Sequence, residues 1–357
     1  MLPLGSHVGI LGGGQLARML SMAGSRLGFH MHVFDPIPDA PAVEVSSSTT
    51  VASYDDEISL KRFASEVDVI TFEFENIPVE TINFLASHCP VFPNCKSLEI
   101  SQDRFKEKVF LQSLGLHTAP YALIKTNEGF VEAINKIGIP SVLKTCRFGY
   151  DGKGQKLIKD RKELIEYNQL NGSIPYILES FIPFAKELSV IISRGQSGEV
   201  VCFDPVENIH RDGILRTSEV PAKISSNTNI EAILLAGKIV NELNYVGVMG
   251  VEFFVKKDNT LLVNEIAPRV HNSGHWTQNA CLTDQFEQHI RAITGWSLGD
   301  GKRFADAKMI NLIGYEIDKA VGYTNSAVHI YGKSEVRKNR KMGHINLLNP
   351  TSKKVRE

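Results

Sequence analysis

Residues 251–265 are Val251-Glu-Phe-Phe-Val-Lys-Lys-Asp-Asn-Thr-Leu-Leu-Val-Asn-Glu265, and they decide more about the fold than any other stretch of this chain. Two runs rich in β-forming residues flank the polar segment 257–260, which is typical of a hairpin turn. A turn centred on Asp258-Asn259 places Glu252 directly opposite Glu265. Two carboxylates facing each other on one sheet surface repel and weaken the hairpin.

A divalent cation between the two glutamates would turn this repulsion into attraction, and Mg²⁺ prefers hard oxygen ligands. The alternative is a pair of hydrated glutamates on an exposed face. A dense polar run follows the hairpin and favours the first interpretation; it comprises Arg269, His271, Asn272, Ser273, His275 and Trp276. The hairpin therefore predicts a site for a metal-bound nucleotide.

The composition is that of a soluble protein with two or three domains. The length of 357 residues exceeds that of most single domains, and a hydrophobic content of 43% suffices for a large core. A net charge of −1 provides no global attraction to nucleic acid or to acidic membranes. The five cysteines are scattered and odd in number, which predicts reduced thiols. Since no apolar run approaches transmembrane length, we expect a cytoplasmic protein.

The first hundred residues alternate between strand and helix patterns. Strands are predicted over residues 7–11, 31–34 and 67–72, and a helix over residues 15–27. Residues 1–98 are therefore expected to form a doubly wound α/β domain with parallel strands. From Ser101 onward the pattern is mixed, with helices at 103–114, 230–243 and 284–294 and strands at 140–144, 176–179, 187–192, 310–313, 327–330 and 343–347. The predicted fold class is α/β followed by α+β.

The turn Gly12-Gly13-Gly14 fits a dinucleotide-binding fingerprint. Gly12-x-Gly14-x-x-Ala17 opens a helix, and Asp35 follows at the distance of a ribose-binding acid. Glycine turns open many α/β domains, so NAD binding is the weaker interpretation. Free N–H groups at the helix start near Gln15 could equally hold a phosphate.

A second glycine-rich segment, Gly149-Tyr-Asp-Gly-Lys-Gly-Gln155, has a different character. Its glycines let backbone N–H groups approach a polyphosphate, and Lys144 and Lys153 add positive charge. A flexible hairpin tip is the alternative for the loop by itself. The basic run 337–341 lies in a nearly neutral chain without interleaved aromatic residues, so a small-anion contact or a solvated strand is favoured over nucleic acid.

The glycine-rich loop, the upstream lysine and the Glu…Asn-Glu hairpin behind an α/β domain resemble the ATP-grasp superfamily. Within it, four segments resemble the N5-carboxyaminoimidazole ribonucleotide synthases: residues 149–155, Asp212–Thr217, Asn264–Gln278 and Arg291–Thr294. The resemblance implies an ATP-grasp fold with an N-terminal doubly wound α/β domain, a glycine-rich lid subdomain and a C-terminal mixed domain. It implies divisions at 1–98, 99–185, 186–308 and 309–357.

The implied activity is that of an ATP-dependent ligase of purine (IMP) biosynthesis. ATP would convert bicarbonate into carboxyphosphate, which releases CO₂ beside the amine of 5-aminoimidazole ribonucleotide. Such phosphoryl transfer depends on positioning and charge neutralisation. The expected cofactors are ATP and Mg²⁺, and the expected partners are small molecules, without nucleic acid or membrane. A homodimer is expected from the resemblance alone.

The resemblance also assigns residues to ATP and its metal. Mg²⁺ would be held by Glu252, Glu265 and Asn264, and the ATP phosphates by Lys144 and Arg104. The lid over these phosphates would comprise Gly149, Tyr150, Asp151, Gly152, Lys153, Gly154 and Gln155. The adenosine part would contact the hinge and its neighbours, namely Glu179, Ser180, Phe181, Ile182, Glu187 and His210.

The remaining roles concern catalysis and the second substrate. Asp151 would orient or deprotonate the substrate amine, with Tyr150 and Lys153 alongside. Carboxyphosphate would be stabilised by Arg269, His271, Asn272 and Ser273. The ribonucleotide would be bound, with its phosphate at the Gly12–Gln15 turn, by Gly14, Gln15, Glu75, Asn76, Tyr150, Ser273, Lys333, Arg340 and Lys341.

Two departures from the family pattern bear on these roles. Lys153 stands where relatives usually carry Arg, which keeps the charge but loses bidentate geometry. Lys338-Asn339 replaces a common Pro-Gly, so the turn before Arg340 could differ.

Three alternatives stay open. Another ATP-grasp ligase could use a different amine acceptor, as a formate-using glycinamide ribonucleotide enzyme does. An NAD-dependent oxidoreductase rests only on the Gly12–Ala17 pattern and Asp35. A nucleotide-binding regulator without turnover is expected to lack the opposed glutamates.

Overall fold

The structure is a computed structural model that describes residues 1–149, 152–160, 163 and 175–349. Tyr150 and Asp151, which the sequence assigns to the lid and to catalysis, lie outside the described residues. In the described part, no helix is long and apolar enough to cross a membrane. All five cysteines are free thiols.

The N-terminal sheet is parallel, as the sequence predicts. Its strands β1 (His7–Leu11), β2 (His30–Phe34), β3 (Ser48–Thr50) and β4 (Val69–Phe72) lie in the order β3-β2-β1-β4. They are accompanied by α1 (Gln15–Arg26), α2 (Glu57–Ser65), α3 (Val79–Ala86), α4 (Cys95–Ser101) and a 3-10 helix (Val43–Val45). The strand order reverses between β1 and β4, and ligands of such sheets bind beyond the carboxyl ends of the strands at this point.

A second, antiparallel sheet carries the glycine-rich loop. Its strands β5 (Tyr121–Ile124), β6 (Ser141–Thr145), β7 (Gln155–Ile158) and β8 (Tyr176–Ser180) lie in the order β5-β8-β6-β7, with α5 (Arg104–Ser113) and α6 (Asn127–Ile137) beside them in sequence. Lys144 on β6 pairs with Gln155 on β7, so both ends of the loop are held by one hairpin. Asp103 caps α5 by accepting hydrogen bonds from the N–H groups of Phe105 and Lys106.

The third sheet is the largest, and its strand pairs are antiparallel. It comprises β9 (Lys186–Arg194), β10 (Val200–Cys202), β11 (Val206–Arg211), β12 (Ile214–Val220), β13 (Gly247–Val255), β14 (Leu261–Ala267), β15 (Ala307–Ile313), β16 (Ala327–Ile330) and β17 (Lys341–Leu348). The order is β14-β13-β9-β11-β12-β15-β17-β16, with β10 on the side of β9. The helices of this part are α7 (Ser226–Glu242), α8 (Thr277–Ala280), α9 (Gln285–Thr294) and the 3-10 helices Asn272–Gly274 and Gly314–Gly322.

This sheet continues across residues 308 and 309, where the sequence predicts a domain boundary. Its strand β15 spans that point and pairs with both β12 and β17. A local sequence pattern does not reveal which distant strands pair, and the four-part division of the chain stays a prediction. The largest core cluster joins α1 to α9 and to this sheet around the fully buried Trp276.

The hairpin of β13 and β14 has the predicted pairing, but for a different reason. Its loop is one residue longer than expected, because Asn259 adopts a positive φ of 68° and Val255 pairs with Leu261. That shift alone would set Glu252 opposite Asn264. A β-bulge after Glu252, in which Asn264 is the extra residue, restores the pairing of Glu252 with Glu265.

Candidate active site

A cavity of about 1060 Å³ is lined by residues of the two antiparallel sheets and by the segments that follow β1 and β4 of the parallel sheet. It lies at the carboxyl ends of β1 and β4, and its other walls are the segment after β8, the β13–β14 hairpin and the segment before β17. Most residues that the sequence assigns to the site line this cavity: Gly14, Gln15, Glu75, Asn76, Arg104, Lys144, Gly149, Gly152, Lys153, Gln155, Glu179, Ser180, Phe181, Ile182, Glu187, His210, Glu252, Asn264, Glu265, Arg269, His271, Asn272, Lys333, Arg340 and Lys341.

Two assigned residues do not line the cavity, and their direct contacts with ligands stay predictions. Ser273 is fully buried, where its hydroxyl lies 2.6 Å from that of Ser189 and 2.8 Å from His271 Nδ1. In this structure its hydroxyl therefore contacts His271 and Ser189 and does not face the cavity. Gly154 accepts a hydrogen bond from the Thr145 N–H, and a side chain at this glycine would collide with Thr145 Oγ1 at 2.7 Å.

Glu252, Asn264 and Glu265 lie on one wall of the cavity. Each glutamate has a basic neighbour: Arg104 Nη1 donates to Glu265 Oε2 at 2.9 Å, and His271 Nε2 lies 3.2 Å from Glu252 Oε1. Burial favours a raised pKa for Glu265, but Arg104, together with Lys144 and His271, lowers this pKa to about 2. The carboxylate is therefore ionised at neutral pH, as a metal ligand must be.

The donor set suits Mg²⁺ better than a softer metal. Within the described residues, no three His, Cys, Asp or Glu side chains converge as a metal site. Two carboxylates and the amide of Asn264 remain, and all are oxygen ligands. Mg²⁺ is usually bound by one or two carboxylates and completes its shell with water and substrate phosphates.

Lys144, assigned to the phosphates, has a buried partner in Glu179. Lys144 Nζ donates to Glu179 Oε2 at 2.9 Å, and Lys108 Nζ lies 3.9 Å from Glu179 Oε1. Burial would raise the pKa of Glu179, but the two lysines lower it to about 2. The Glu179 side chain is thus a counterion of the two lysines, and the predicted hinge residues that follow it, Ser180, Phe181 and Ile182, line the cavity.

An aromatic surface missed in the sequence adjoins this hinge. Phe184 and Phe254 stack with ring centroids 4.7 Å apart and planes within 5°. Nearby, His210 Nδ1 lies 2.6 Å from Glu187 Oε2. Burial alone would lower the pKa of His210, but Glu187 and the nearby Glu252 raise it above its usual value. Both pairs line the cavity and could flank a nucleoside.

The turn before α1 is already occupied by side chains of the protein. The N–H groups of Gly14, Leu16 and Ala17 donate to the Glu73 carboxylate at 2.5, 3.1 and 3.0 Å. The Gly13 N–H donates to Asp35 Oδ2 at 2.6 Å. These four N–H groups are therefore already bonded within the protein, which argues against the predicted phosphate site at this turn, although Gly14 and Gln15 still line the cavity. Asp35 caps the turn, and this use of its carboxylate weakens the NAD interpretation.

The residues assigned to carboxyphosphate are held by partners distant in sequence. Arg269 Nε and Nη2 donate to the two oxygens of Glu75 at 2.6 and 3.1 Å, a bidentate pair. Asn272 exchanges two side-chain hydrogen bonds with Asn311, at 3.0 and 2.8 Å. Glu75 was assigned to the ribonucleotide, but in this structure it orients Arg269.

The basic residues near the C-terminus form one rim of the cavity. Lys333, Arg340 and Lys341 line it together with Arg337 and Lys338. Asn339 has a positive φ of 67°, and the Arg340 N–H donates to the Arg337 carbonyl at 3.1 Å. Asparagine is among the few non-glycine residues that accept this conformation. The replacement of Pro-Gly by Lys338-Asn339 is therefore compatible with a tight turn.

Three family models together match most of the chain. The Ribonucleotide synthetase preATP-grasp domain matches residues 6–102, the ATP-grasp domain residues 109–286, and the Phosphoribosylaminoimidazole carboxylase C-terminal domain residues 307–357.

Curated relatives and solved structures agree with these matches. The N5-carboxyaminoimidazole ribonucleotide synthase of Brucella melitensis is 48% identical over 97% of both chains, and that of Bacillus subtilis is 41% identical over 96% of this chain and 92% of the relative. An ADP complex of such an enzyme superposes with a TM-score of 0.95 at 41% identity, covering 98% of this chain and 94% of the other. The Aspergillus clavatus enzyme in complex with ADP and 5-aminoimidazole ribonucleotide has a TM-score of 0.90 at 29% identity, covering 97% and 94%. This chain therefore belongs to the N5-carboxyaminoimidazole ribonucleotide synthase family of ATP-grasp enzymes.

Proposed function

We propose that this protein uses ATP and bicarbonate to carboxylate 5-aminoimidazole ribonucleotide, forming N5-carboxyaminoimidazole ribonucleotide, ADP and phosphate in purine biosynthesis. The observation that carries the proposal is the opposed pair of Glu252 and Glu265 with the bulged Asn264, in a cavity that also contains a stacked aromatic pair and a basic rim. Relatives of this name at 48% and 41% identity support it.

Mg²⁺ is the metal we assign to Glu252, Asn264 and Glu265. When bound, it would neutralise charge on the ATP phosphates. The protein itself places a basic neighbour beside each carboxylate, Arg104 at Glu265 and His271 at Glu252.

Arg104 and Lys144 would bind the phosphates of ATP. Besides its bond to Glu265, Arg104 donates through Nη2 to the Gly149 carbonyl at 3.4 Å. One guanidinium therefore connects the glutamate pair to the start of the glycine-rich loop. The ordering of the loop over the nucleotide and the arrangement of the glutamates are coupled through this residue, which helps to exclude water from a hydrolysable intermediate.

Arg269, His271 and Asn272 would stabilise carboxyphosphate once it forms. A planar guanidinium held by Glu75 presents its remaining donors in a fixed direction, so little reorganisation is needed when negative charge develops. CO₂ released here would meet the amine of the ribonucleotide. Asp151 would orient that amine or accept its proton, with Tyr150 and Lys153 alongside.

The 5′-phosphate of the ribonucleotide would bind at the basic rim of Lys333, Arg340 and Lys341. This rim offers positive charge, whereas the turn before α1 offers two carboxylates. Glu75, Asn76 and Gln15 lie on the same side of the cavity as that turn and could meet the ribose or the imidazole.

We further infer a cytoplasmic homodimer, on the resemblance to the family. Multi-angle light scattering of the purified protein tests the assembly directly. A molar mass near that of one 39.6 kDa chain would exclude the dimer.

The activity is tested by phosphate release from MgATP with bicarbonate, with and without 5-aminoimidazole ribonucleotide. We expect stimulation by the ribonucleotide and equimolar formation of the carboxylated product. A parallel reaction with formate and glycinamide ribonucleotide separates this function from that of another ATP-grasp ligase. Stimulation by the second pair alone would overturn the assignment of substrates while leaving the fold intact.

A further inference from the structure

One turn of α5 faces three consecutive residues of β14. Arg104, Glu107 and Lys108 occupy positions i, i+3 and i+4, which share one side of a helix. We call these three residues the α5 face. The Arg104 guanidinium contacts the Glu265 side chain at 2.9 Å. Glu107 and Lys108 each contact the backbone of β14, and Lys108 Nζ also lies 3.9 Å from Glu179 Oε1.

Those backbone contacts lie on either side of Glu265. The Ile266 N–H donates to Glu107 Oε1 at 2.7 Å, and Lys108 Nζ donates to the Asn264 carbonyl at 2.6 Å. β14 is an edge strand of its sheet, so its outward polar groups have no strand partner. The α5 face supplies these partners with the carboxyl oxygen of Glu107 as acceptor and the side-chain nitrogen of Lys108 as donor, and burial raises the pKa of Glu107 to about 8.

Burying the side chains of Glu107 and Lys108 is energetically unfavourable, which indicates that they have a specific structural role at this place. Lys108 is 1% exposed and Glu107 is 2% exposed. Buried ionisable groups are unfavourable, charged or neutral, unless hydrogen bonds satisfy them. A helix that merely packed on this strand could have used apolar side chains at both positions.

The bulge explains why this strand needs support from outside the sheet. A bulge disrupts the ladder locally and leaves the extra residue unpaired. Here the extra residue is Asn264, and without the bulge Glu252 would face Asn264 instead of Glu265. The carboxylate pair therefore depends on a backbone distortion that β13 alone does not stabilise.

We propose that Glu107 and Lys108 are positioning residues that hold the bulge at Asn264, and thereby set Glu265 and Asn264 opposite Glu252. The inference rests on the proposed role of these three residues in binding the metal of the nucleotide. Glu107 also lines the cavity, but the positioning role requires neither Glu107 nor Lys108 to touch ATP, bicarbonate or the ribonucleotide.

The test uses the full chain with Lys108→Met, which removes the ammonium but keeps the apolar stem, and Glu107→Leu, which removes the acceptor. Lys106→Met is the matched control, because Lys106 lies on the same helix but pairs with Glu99 at the surface. Glu107→Gln is the conservative variant, since its amide oxygen can still accept from the Ile266 N–H.

Two readouts besides turnover are measured. Hydrogen exchange of a peptide covering residues 261–267 is followed in the nucleotide-free protein, and Mn²⁺ affinity in the presence of ADP is measured by electron paramagnetic resonance. We expect faster exchange and an affinity loss of about 10- to 100-fold for Lys108→Met and Glu107→Leu, as for other residues that orient metal ligands. The affinity of these two variants for ADP without metal should equal that of the wild type. Glu107→Gln should largely restore both the exchange rate and the Mn²⁺ affinity. Lys106→Met should resemble the wild type in both.

Wild-type exchange and Mn²⁺ affinity in folded Lys108→Met and Glu107→Leu would overturn the proposal. So would an equal loss of metal-free and metal-dependent ADP binding, which indicates general destabilisation. If both variants fail to fold, the hydrogen-exchange rate of residues 261–267 in Glu107→Gln decides. The proposal expects this rate to be close to that of the wild type, because the amide oxygen still accepts from the Ile266 N–H. Faster exchange confined to these residues in a folded Glu107→Gln would overturn the proposal. Glu265→Gln separates the two hypotheses: unchanged Mn²⁺ affinity in that variant refutes the metal site itself, whereas a loss there without a loss in Lys108→Met refutes only the positioning role.

Discussion

Glu265 is the residue on which the proposed chemistry most depends. Glu265→Gln keeps the size of the side chain but removes the charge that pairs with Arg104 and would bind the metal. We expect turnover to fall by on the order of 100-fold or more, because one preorganised electrostatic contact is typically of this magnitude. The measurement is ribonucleotide-stimulated phosphate release.

The control for this substitution is Glu219→Gln, a glutamate of the same sheet that pairs with Lys223 and Lys308 away from the cavity. It should retain wild-type rates. Wild-type turnover in Glu265→Gln, with a normal thermal unfolding profile, would contradict the assignment of the metal ligands.

Asn339 supports the basic rim through its backbone conformation. Asn339→Val places a β-branched residue at a φ of 67°, which is strained for any residue with a branched Cβ. We expect a loss of about 1–3 kcal/mol in local stability, a raised KM for the ribonucleotide and an unchanged KM for ATP. Asn339→Gly, which accepts this φ without strain, should retain both constants; equal constants in the valine and glycine variants would argue against a role for this turn.

Among the elements, α9 is joined to two sheets through one neutral histidine. The Val248 N–H donates to His289 Nδ1 at 3.0 Å, so the ring proton must be on Nε2, which lies 2.8 Å from Thr71 Oγ1. Burial lowers the pKa of His289 to about 3. In the unfolded chain the pKa of this histidine is near its ordinary value of 6.5. Between pH 3 and pH 6.5 the unfolded chain therefore binds a proton at His289 and the folded protein does not.

His289 makes the protein less stable at acidic pH. Above about pH 6.5 it does not change the free energy of unfolding. Below that pH the free energy of unfolding falls by about 1.4 kcal/mol per pH unit toward pH 3. At pH 5 the expected loss is about 2 kcal/mol. The amide of His289→Gln can make both hydrogen bonds but does not titrate. Between pH 5 and 6.5 the unfolding free energy of this variant should therefore depend less steeply on pH, by the slope that corresponds to one bound proton. An identical slope in urea titrations of the two proteins would show that His289 does not titrate in this way.

The hairpin at β13–β14 shows how far element-level prediction extends. Alternating apolar residues and the polar turn predict two strands and the facing glutamates, and the structure has both. The three-residue loop and the bulge each change the register by one, in opposite directions. The bulge is stabilised by Glu107 and Lys108, which lie more than a hundred residues earlier, so no local pattern contains it.

At the scale of the whole molecule, nucleotide and metal should stabilise the chain together. A ligand at 100 times its Kd contributes about 2.7 kcal/mol to the free energy of unfolding. We expect MgADP to raise the unfolding temperature, and EDTA to remove most of that increase because the diphosphate would then face Glu252 and Glu265 without a compensating charge. Differential scanning calorimetry measures both shifts. In Glu265→Gln, EDTA should have a much smaller effect; an EDTA-insensitive shift in the wild type would contradict the metal-dependent binding mode.

The sequence by itself determined the class of each part, because hydrophobic periodicity and turn residues are local. It predicted the parallel N-terminal sheet, the mixed part that follows it, the hairpin and its glutamates, and, by resemblance, the family. The turn before α1 marks the limit of this reasoning. Its glycines correctly predict a helix start whose N–H groups have no partner within the helix, but the N–H groups of Gly14, Leu16 and Ala17 donate to Glu73, which lies 59 residues after Gly14.

Only the tertiary structure decided which charges are paired and which are available to ligands. Arg269 with Glu75, Lys144 with Glu179 and the α5 face with β14 are contacts between elements far apart in the chain. A buried charge is stable only beside a partner, and the partner is chosen by the packing of elements and not by their sequence neighbours. That is the physical reason why the residues of the cavity were largely foreseeable while their hydrogen-bond partners were not.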